Sequence, residues 1–131
     1  LGLGKAKETV PAREKAVRRA KVNIIKIRRG CGSLECGCGT PHSLPFKAEG
    51  RCGSVTLVLI PAPRGTGLCI ERECKKILEM SGIKDVYSQT FGQTRTKINI
   101  TFACVDALKK LSSIKINPAY VKTSGIKEGK I

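Results

Sequence analysis

From Ala12 onward, apolar residues recur at helical spacing. Ala16, Val17, Ala20 and Ile24 mark one stripe, and Arg13, Lys15, Arg18, Arg19 and Lys21 sit between them. The spacing predicts a helix with an apolar stripe and a basic opposite face. Pro11 suits its first turn, where the missing N–H is harmless. Leu1-Gly2-Leu3-Gly4 reads as the end of a strand or a tight turn, and Arg28 and Arg29 carry the positive run past the helix. Residues 30–45 are rich in Gly and Cys and poor in helix formers, which predicts a loop. A short strand is expected over residues 46–50, ending at a turn near Arg51-Cys52-Gly53. Over residues 54–60, Val55, Leu57 and Leu59 alternate with Thr56, Val58 and Ile60. Both faces are largely apolar, so this strand should be central and covered on both sides.

Pro61-Ala62-Pro63-Arg64-Gly65-Thr66-Gly67 interrupts regular structure and predicts a loop. Ile70, Cys74, Ile77 and Leu78 mark the face of a second helix, with Gly82 placed as its left-handed C-terminal cap. A strand is expected within residues 83–91 around Val86, followed by a polar loop over residues 92–97. A last helix over about residues 99–111 carries Phe102, Val105 and Leu108 on one face, with Asn99 or Thr96 capping its start. Beyond Ser112 the pattern decays into a basic tail, expected to be extended. The order helix, loop, strand, helix, strand, helix gives an α+β fold class.

Charge changes this picture from a generic domain to a polyanion binder. Lys and Arg number 25 against 10 Asp and Glu, a net charge of +15. Residues 1–51 carry 12 basic and 4 acidic side chains and residues 52–131 carry 13 and 6, so the charge is not confined to one tail. Such an excess repels itself unless a polyanion neutralises it, and phosphate backbones are the usual one. No apolar run approaches the roughly 18 residues of a membrane span. Aromatics make up only 4%, so the core must be built from Ile, Leu, Val and Ala, and a partner should supply part of the stability. Seven cysteines, an odd number without a signal peptide, fit a reducing cytosol better than a disulfide framework.

Three loops combine Gly or small hydroxyls with Arg or Lys: Gly4-Lys5-Ala6-Lys7, Arg64-Gly65-Thr66-Gly67 and Gln93-Thr94-Arg95-Thr96-Lys97. Such loops let backbone N–H groups approach phosphate while Arg adds a bidentate contact, and the two later ones each precede a helix N-terminus. Ordinary surface turns are the alternative for any one loop alone. No Walker loop occurs, so nucleotide hydrolysis and a small-molecule substrate have no support. Cys31, Cys36, Cys38 and His42 form C-x4-C-x-C-x3-H, four ligands within 12 residues that suit a structural zinc. Two other readings compete: free thiols packed on RNA with His42 stacking on a base or sugar, and a Cys–His nucleophilic pair using Cys36 or Cys38. Cys52, Cys69, Cys74 and Cys104 lie among apolar positions and are expected to fill the core.

Arg51-Cys52-Gly53-Ser54-Val55, followed by Leu59-Ile60-Pro61-Ala62-Pro63-Arg64-Gly65-Thr66-Gly67, resembles the universal fifth small-subunit ribosomal protein family. Ser81-Gly82-Ile83-Lys84-Asp85-Val86 and Gly92-Gln93-Thr94-Arg95-Thr96 continue the likeness in order, as do Gly4-Lys5-Ala6-Lys7-Glu8, Pro41-His42-Ser43 and Asn99. It covers roughly residues 1–112. The Cys-rich loop and the loop at residues 93–97 look like the archaeal branch, related to the eukaryotic S-two protein. The resemblance implies that residues 1–50 are the end of a double-stranded-RNA-binding-like domain plus a connecting loop. Residues 51–112 would be the α+β C-terminal domain and residues 113–131 a basic tail. It places Leu1 at the third strand of the first domain, with two strands and the loop between them expected upstream.

The implied role is a non-catalytic, ribosome-bound cytoplasmic constituent of the small subunit. It would touch rRNA and neighbouring small-subunit proteins near the mRNA entrance, and support decoding accuracy and assembly. The residues expected at phosphate are Lys5, Lys7, Arg13, Arg18, Arg19, Arg28, Arg29, Arg64, Gly65, Thr66, Thr94, Arg95 and Thr96. Two rivals are a free-standing RNA-binding regulator and a zinc- or thiol-dependent enzyme.

Overall fold

A computed structural model describes residues 1–129. In chain order the elements are α1 (Thr9–Val22), β1 (Arg28–Arg29), β2 (Ala48–Cys52), β3 (Val55–Pro61) and β4 (Leu68–Cys69). They continue with α2 (Arg72–Met80), β5 (Val86–Phe91), α3 (Lys97–Ser113), α4 (Pro118–Ser124) and β6 (Lys127–Glu128). The class is mixed α+β, as expected. The alternating segment becomes β3, an inner strand of a four-stranded sheet ordered β2-β3-β5-β4, in which only the β4–β5 pair is parallel. β2 runs across the expected boundary between residues 50 and 51 and pairs with β3 along its whole length.

One face of the sheet holds the core. Val55, Leu57 and Leu59 of β3 are fully buried, with Ala48 and Val86 beside them and Cys74, Leu78, Ile100, Cys104 and Leu108 above. Both α2 and α3 therefore cover the same face. The other face was expected to be covered too, but Tyr87 and Phe91 of β5 are exposed there, and Thr56 and Ile60 are half-buried. The apolar side chains of β3 exceed what the helices can cover, because both helices are committed to one side.

The stripe of α3 differs from expectation. Ile100, Ala103, Cys104, Ala107, Leu108 and Leu111 are buried, whereas Phe102 and Val105 are half-buried and flank it. The reason lies across the interface at Gly50. A Cβ there would stand 1.9 Å from the Ala103 carbonyl oxygen, so the strand backbone lies directly on the helix and selects small residues opposite. Phe102 instead borders a cleft with Leu1, Leu3 and Arg19. At the end of α2, Gly82 takes φ +77 as expected. The Ile83 N–H reaches the Leu78 carbonyl at 3.1 Å and the Gly82 N–H reaches that of Glu79 at 3.0 Å, completing a Schellman cap.

Three other expectations change. The tail does not run extended: residues 118–124 form α4, with the Asn117 side chain accepting the Ala119 N–H at 3.0 Å. β6 then pairs antiparallel with β1. Tyr120 stacks on Phe46 with ring centroids 5.3 Å apart, and this contact with the body of the protein outweighs the weak helical pattern of so short a segment. Residues 1–4 lie along α1 and enter no ladder among the described residues, and α1 itself buries none of its side chains. Of the four scattered cysteines, Cys74 and Cys104 fill the core, but Cys52 is half-buried and Cys69 is exposed on the short edge strand β4.

Candidate metal centre and nucleic-acid interface

The Cys-rich loop is closed at its base by backbone pairing. Gly30 and Ser43 exchange two hydrogen bonds of 3.0 Å, and the Gly32 N–H reaches the Leu44 carbonyl at 3.0 Å. From the far side, the Cys31 N–H donates to the Ser124 carbonyl at 2.9 Å, so α4 holds the loop as well. The chain between is thereby folded back on itself, and the ligand atoms of Cys31, Cys36, Cys38 and His42 all lie within 4.8 Å of one another. Cys36 Sγ is 3.7 Å from His42 Nε2. With metal–ligand bonds of roughly 2.0–2.3 Å, a tetrahedral site has ligand–ligand edges of about 3.5–3.8 Å. The four side chains expected from spacing are therefore brought together, and they can hold a metal ion.

The layer behind them was not legible in sequence. His42 is 7% exposed, and its Nδ1 lies 2.7 Å from Asp85 Oδ2. The other carboxylate oxygen, Oδ1, accepts the N–H groups of Gly65 at 3.1 Å and Gly67 at 2.9 Å. The Lys84 N–H donates to the His42 carbonyl at 2.8 Å, Ser43 Oγ donates to the Asp85 carbonyl at 2.5 Å, and the Ala62 N–H donates to Ser43 Oγ at 3.1 Å. Three segments (residues 40–45, 62–67 and 84–86) are thus knit together behind the cluster.

These contacts set the protonation of the cluster. The hydroxyl and N–H of Thr40 lower the Cys38 thiol to about 6. The Arg64 N–H, then that of Cys38, lowers Cys36, while burial and the neighbouring thiols push Cys31 up to about 11. Burial alone would lower His42, but its bonds to Cys36 and Asp85 outweigh that and raise it. Burial alone would raise Asp85, yet the Gly67 N–H and His42 hold it below the usual carboxylate range. A thiolate is the ligating form, so two of the three sulfurs are already biased toward binding.

The basic residues fall into separate groups. Lys5 and Lys7 are exposed ahead of α1, and Arg13 and Arg18 are exposed on it, bordering a shallow depression with Val17 and Lys21. Arg19 is exposed but donates to the Leu3 carbonyl at 2.8 Å. Arg28 is tied down by Glu128 and by the carbonyls of Leu111 and Ile114. Arg29 is only 5% exposed, and it borders a cleft with Pro41, Arg64, Gly82 and Lys84. Both arginines of β1 therefore sit where the β1–β6 pair and the cleft need them, not on an open face.

The loop at residues 64–67 uses its backbone inward. The N–H groups of Gly65 and Gly67 face Asp85, and that of Thr66 reaches the Pro63 carbonyl at 3.3 Å. The Thr66 hydroxyl also donates to Pro63, at 2.8 Å. These N–H groups are thus engaged within the protein, and the Arg64 side chain is what this loop presents outward. The strand β4 separates the loop from α2, so no helix N-terminus adjoins it. The second loop, with half-buried Thr94 and exposed Arg95 and Thr96, does lead directly into α3. Because β3 and β5 are antiparallel, with Pro61 opposite Val86 and Thr56 opposite Phe91, the two loops lie at opposite ends of the sheet. Five strand rises between those pairs separate the two ends by about 17 Å.

No helix among the described residues is long and apolar enough to cross a membrane. Residues 50–120 match the family model described as ribosomal protein S5, C-terminal domain. The chain is 53% identical over all 131 of its residues to the small ribosomal subunit protein uS5 of Nanoarchaeum equitans, and spans 57% of that protein. It is 49% identical over 131 residues to that of Methanocaldococcus jannaschii, covering 60% of it. Against that of Picrophilus torridus it is 55% identical over 118 residues, which is 90% of this chain and 53% of that one. A match over more than half the chain, with the Pro61–Gly67 loop and its Asp85 anchor inside it, shows that the chain belongs to the ribosomal protein S5 family.

Proposed function

We propose that this chain is part of a structural, rRNA-binding constituent of the small ribosomal subunit, non-catalytic and bound to the ribosome in the cytoplasm. The observation that carries this reading is the likeness, near 50% identity along the whole chain, to proteins named as small ribosomal subunit components. The net charge of +15 supports it, because rRNA phosphates are the polyanion such a surface needs. Residues 1–50 would close a double-stranded-RNA-binding-like domain and residues 51–112 would form the second domain. Residues 118–124 pack against the Cys-rich loop. Neighbouring small-subunit proteins and the mRNA entrance are its expected surroundings, with support of decoding accuracy and assembly as its role. Recognition would be chiefly of RNA shape and backbone. Lys5, Lys7, Arg13, Arg18, Arg64 and Arg95, all exposed, are the proposed phosphate contacts. Arg19, Arg28 and Arg29 act at least partly within the fold.

The test is co-sedimentation of tagged chain with small subunits through a gradient, followed by footprinting on small-subunit RNA. Recovery only in ribosome-free fractions would favour the free-standing regulator instead.

The same reading includes a structural zinc on Cys31, Cys36, Cys38 and His42. The supporting observation is the convergence of three sulfurs and one ring nitrogen, with Asp85 on the far side of the ring as in carboxylate–histidine–zinc sites. A Cys–His–Asp nucleophilic arrangement would need one sulfur, and the other two converging on it argue for a ligand set. Metal analysis of purified protein tests this: one zinc per chain is expected, and less than a tenth of that would remove the zinc.

A further inference from the structure

Asp85 is hydrogen-bonded both to the metal cluster and to the loop that carries Arg64. It is 4% exposed, and each of its carboxylate oxygens faces a different segment. Oδ2 meets His42 Nδ1, which therefore carries the proton and leaves the lone pair of Nε2 turned toward Cys36 Sγ. Oδ1 holds Gly65 and Gly67. A carboxylate is acceptor-only, so it can serve a ring N–H on one side and two backbone N–H groups on the other. The Gly65 and Gly67 N–H groups are therefore an outer hydrogen-bonding layer of the cluster, and their acceptor is the carboxylate that orients His42.

We infer that metal occupancy at Cys31, Cys36, Cys38 and His42 sets the RNA affinity of the loop at residues 64–67, with Asp85 as the positioning residue between them. The inference rests on the zinc reading above. With metal bound, His42 is fixed, so Asp85 presents its acceptor at a fixed point and the Arg64 side chain leaves the loop in one direction. That direction is toward the cleft that Arg64 borders with Lys84, where a backbone phosphate of RNA meets two exposed cations. Without metal, the His42 ring is no longer tied to the three sulfurs, Asp85 loses its fixed place, and the loop must be ordered by the RNA itself. That ordering weakens binding.

Asp85→Asn separates the two effects. The amide offers one oxygen and one NH2 group, so whichever side takes the oxygen, the other meets a donor facing a donor. With metal holding the ring, the oxygen goes to His42 and the glycine N–H groups lose their acceptor.

The experiment measures binding of the full 131-residue chain to an archaeal small-subunit rRNA transcript, with zinc loaded and with zinc removed by chelator, for the unaltered chain, Asp85→Asn and Arg64→Ala. The unaltered chain should bind about tenfold more weakly without zinc. Asp85→Asn should keep one zinc per chain and a tetrahedral cobalt spectrum, yet bind RNA at the zinc-free level with or without metal. Arg64→Ala should also be insensitive to zinc. If Asp85→Asn does not fold, amide resonances of the unaltered chain decide: Gly65 and Gly67 should shift and sharpen on zinc addition. Full zinc dependence in Asp85→Asn, or unchanged Gly65 and Gly67 resonances, would overturn the coupling. Zinc bound with equal RNA affinity in both states overturns the coupling alone, whereas absence of zinc binding overturns the zinc reading with it.

Discussion

Replacing Gly50 with alanine tests whether β2 lies directly on α3. The added Cβ would stand 1.9 Å from the Ala103 carbonyl oxygen, 2.5 Å from the Ala107 nitrogen and 3.0 Å from the Ala103 carbonyl carbon. All three are backbone atoms of one helix, so no side chain can turn aside. Strand and helix would have to separate by roughly 1.5 Å to reach ordinary contact, and a gap of about 0.5–1 Å already forfeits a quarter to a half of each dispersion contact. The loss falls on an interface that includes Ala48, Leu57, Ala103 and Ala107, all buried. Overpacking of this kind costs about 1–3 kcal/mol where side chains can yield, and the upper end applies here. At about 2.1 cal/mol/K per residue of unfolding entropy, about 3 kcal/mol over 131 residues lowers Tm by about 11 °C. Gly37→Ala is the control, since nothing lies within 4 Å of a Cβ there. It should stay within about 0.5 kcal/mol of the unaltered chain. Thermal and urea unfolding followed by circular dichroism report both values. Gly50→Ala melting within about 3–4 °C (roughly 1 kcal/mol) of Gly37→Ala would refute the packing argument.

Other consequences can be measured separately. Zinc at about a thousand times its Kd should stabilise the chain by about 4 kcal/mol and raise Tm by about 15 °C. Identical melting with and without chelator would count against a metal that binds the folded state. Arg95→Ala, at the sheet end remote from the cluster, should weaken RNA binding and reduce the slope of log K against log salt by about 1, with no dependence on zinc. An unchanged salt slope would remove Arg95 from the phosphate contacts. Gly82→Ala, at φ +77, should cost about 1–2 kcal/mol by urea unfolding, because the cap needs the left-handed conformation. A loss below about 0.3 kcal/mol would show that the cap can be rebuilt in another form.

Local patterns determined much of this protein. The alternation of Val55, Leu57 and Leu59 encodes a strand whatever surrounds it, because side chains on a strand repeat every second residue. Gly82 marks the end of α2 because only glycine takes that backbone angle cheaply, and four metal-type ligands within 12 residues are close in space almost by chain length alone. Net charge, likewise independent of conformation, raised the expectation of a polyanion partner. What only the tertiary structure decided involves distant residues. Asp85 meets His42 across 43 positions, and Arg28 meets Glu128 across 100, so neither pair has a periodicity to read. The buried face of α3 was chosen by the close approach of Gly50, which favours Ala103 and Ala107 over the larger Phe102. The glycines at 65 and 67 suggested a cradle for phosphate, whereas the fold turns their N–H groups onto a buried carboxylate. A backbone donor has no sequence signature of its own direction: that is set by whichever acceptor the rest of the chain brings within about 3 Å.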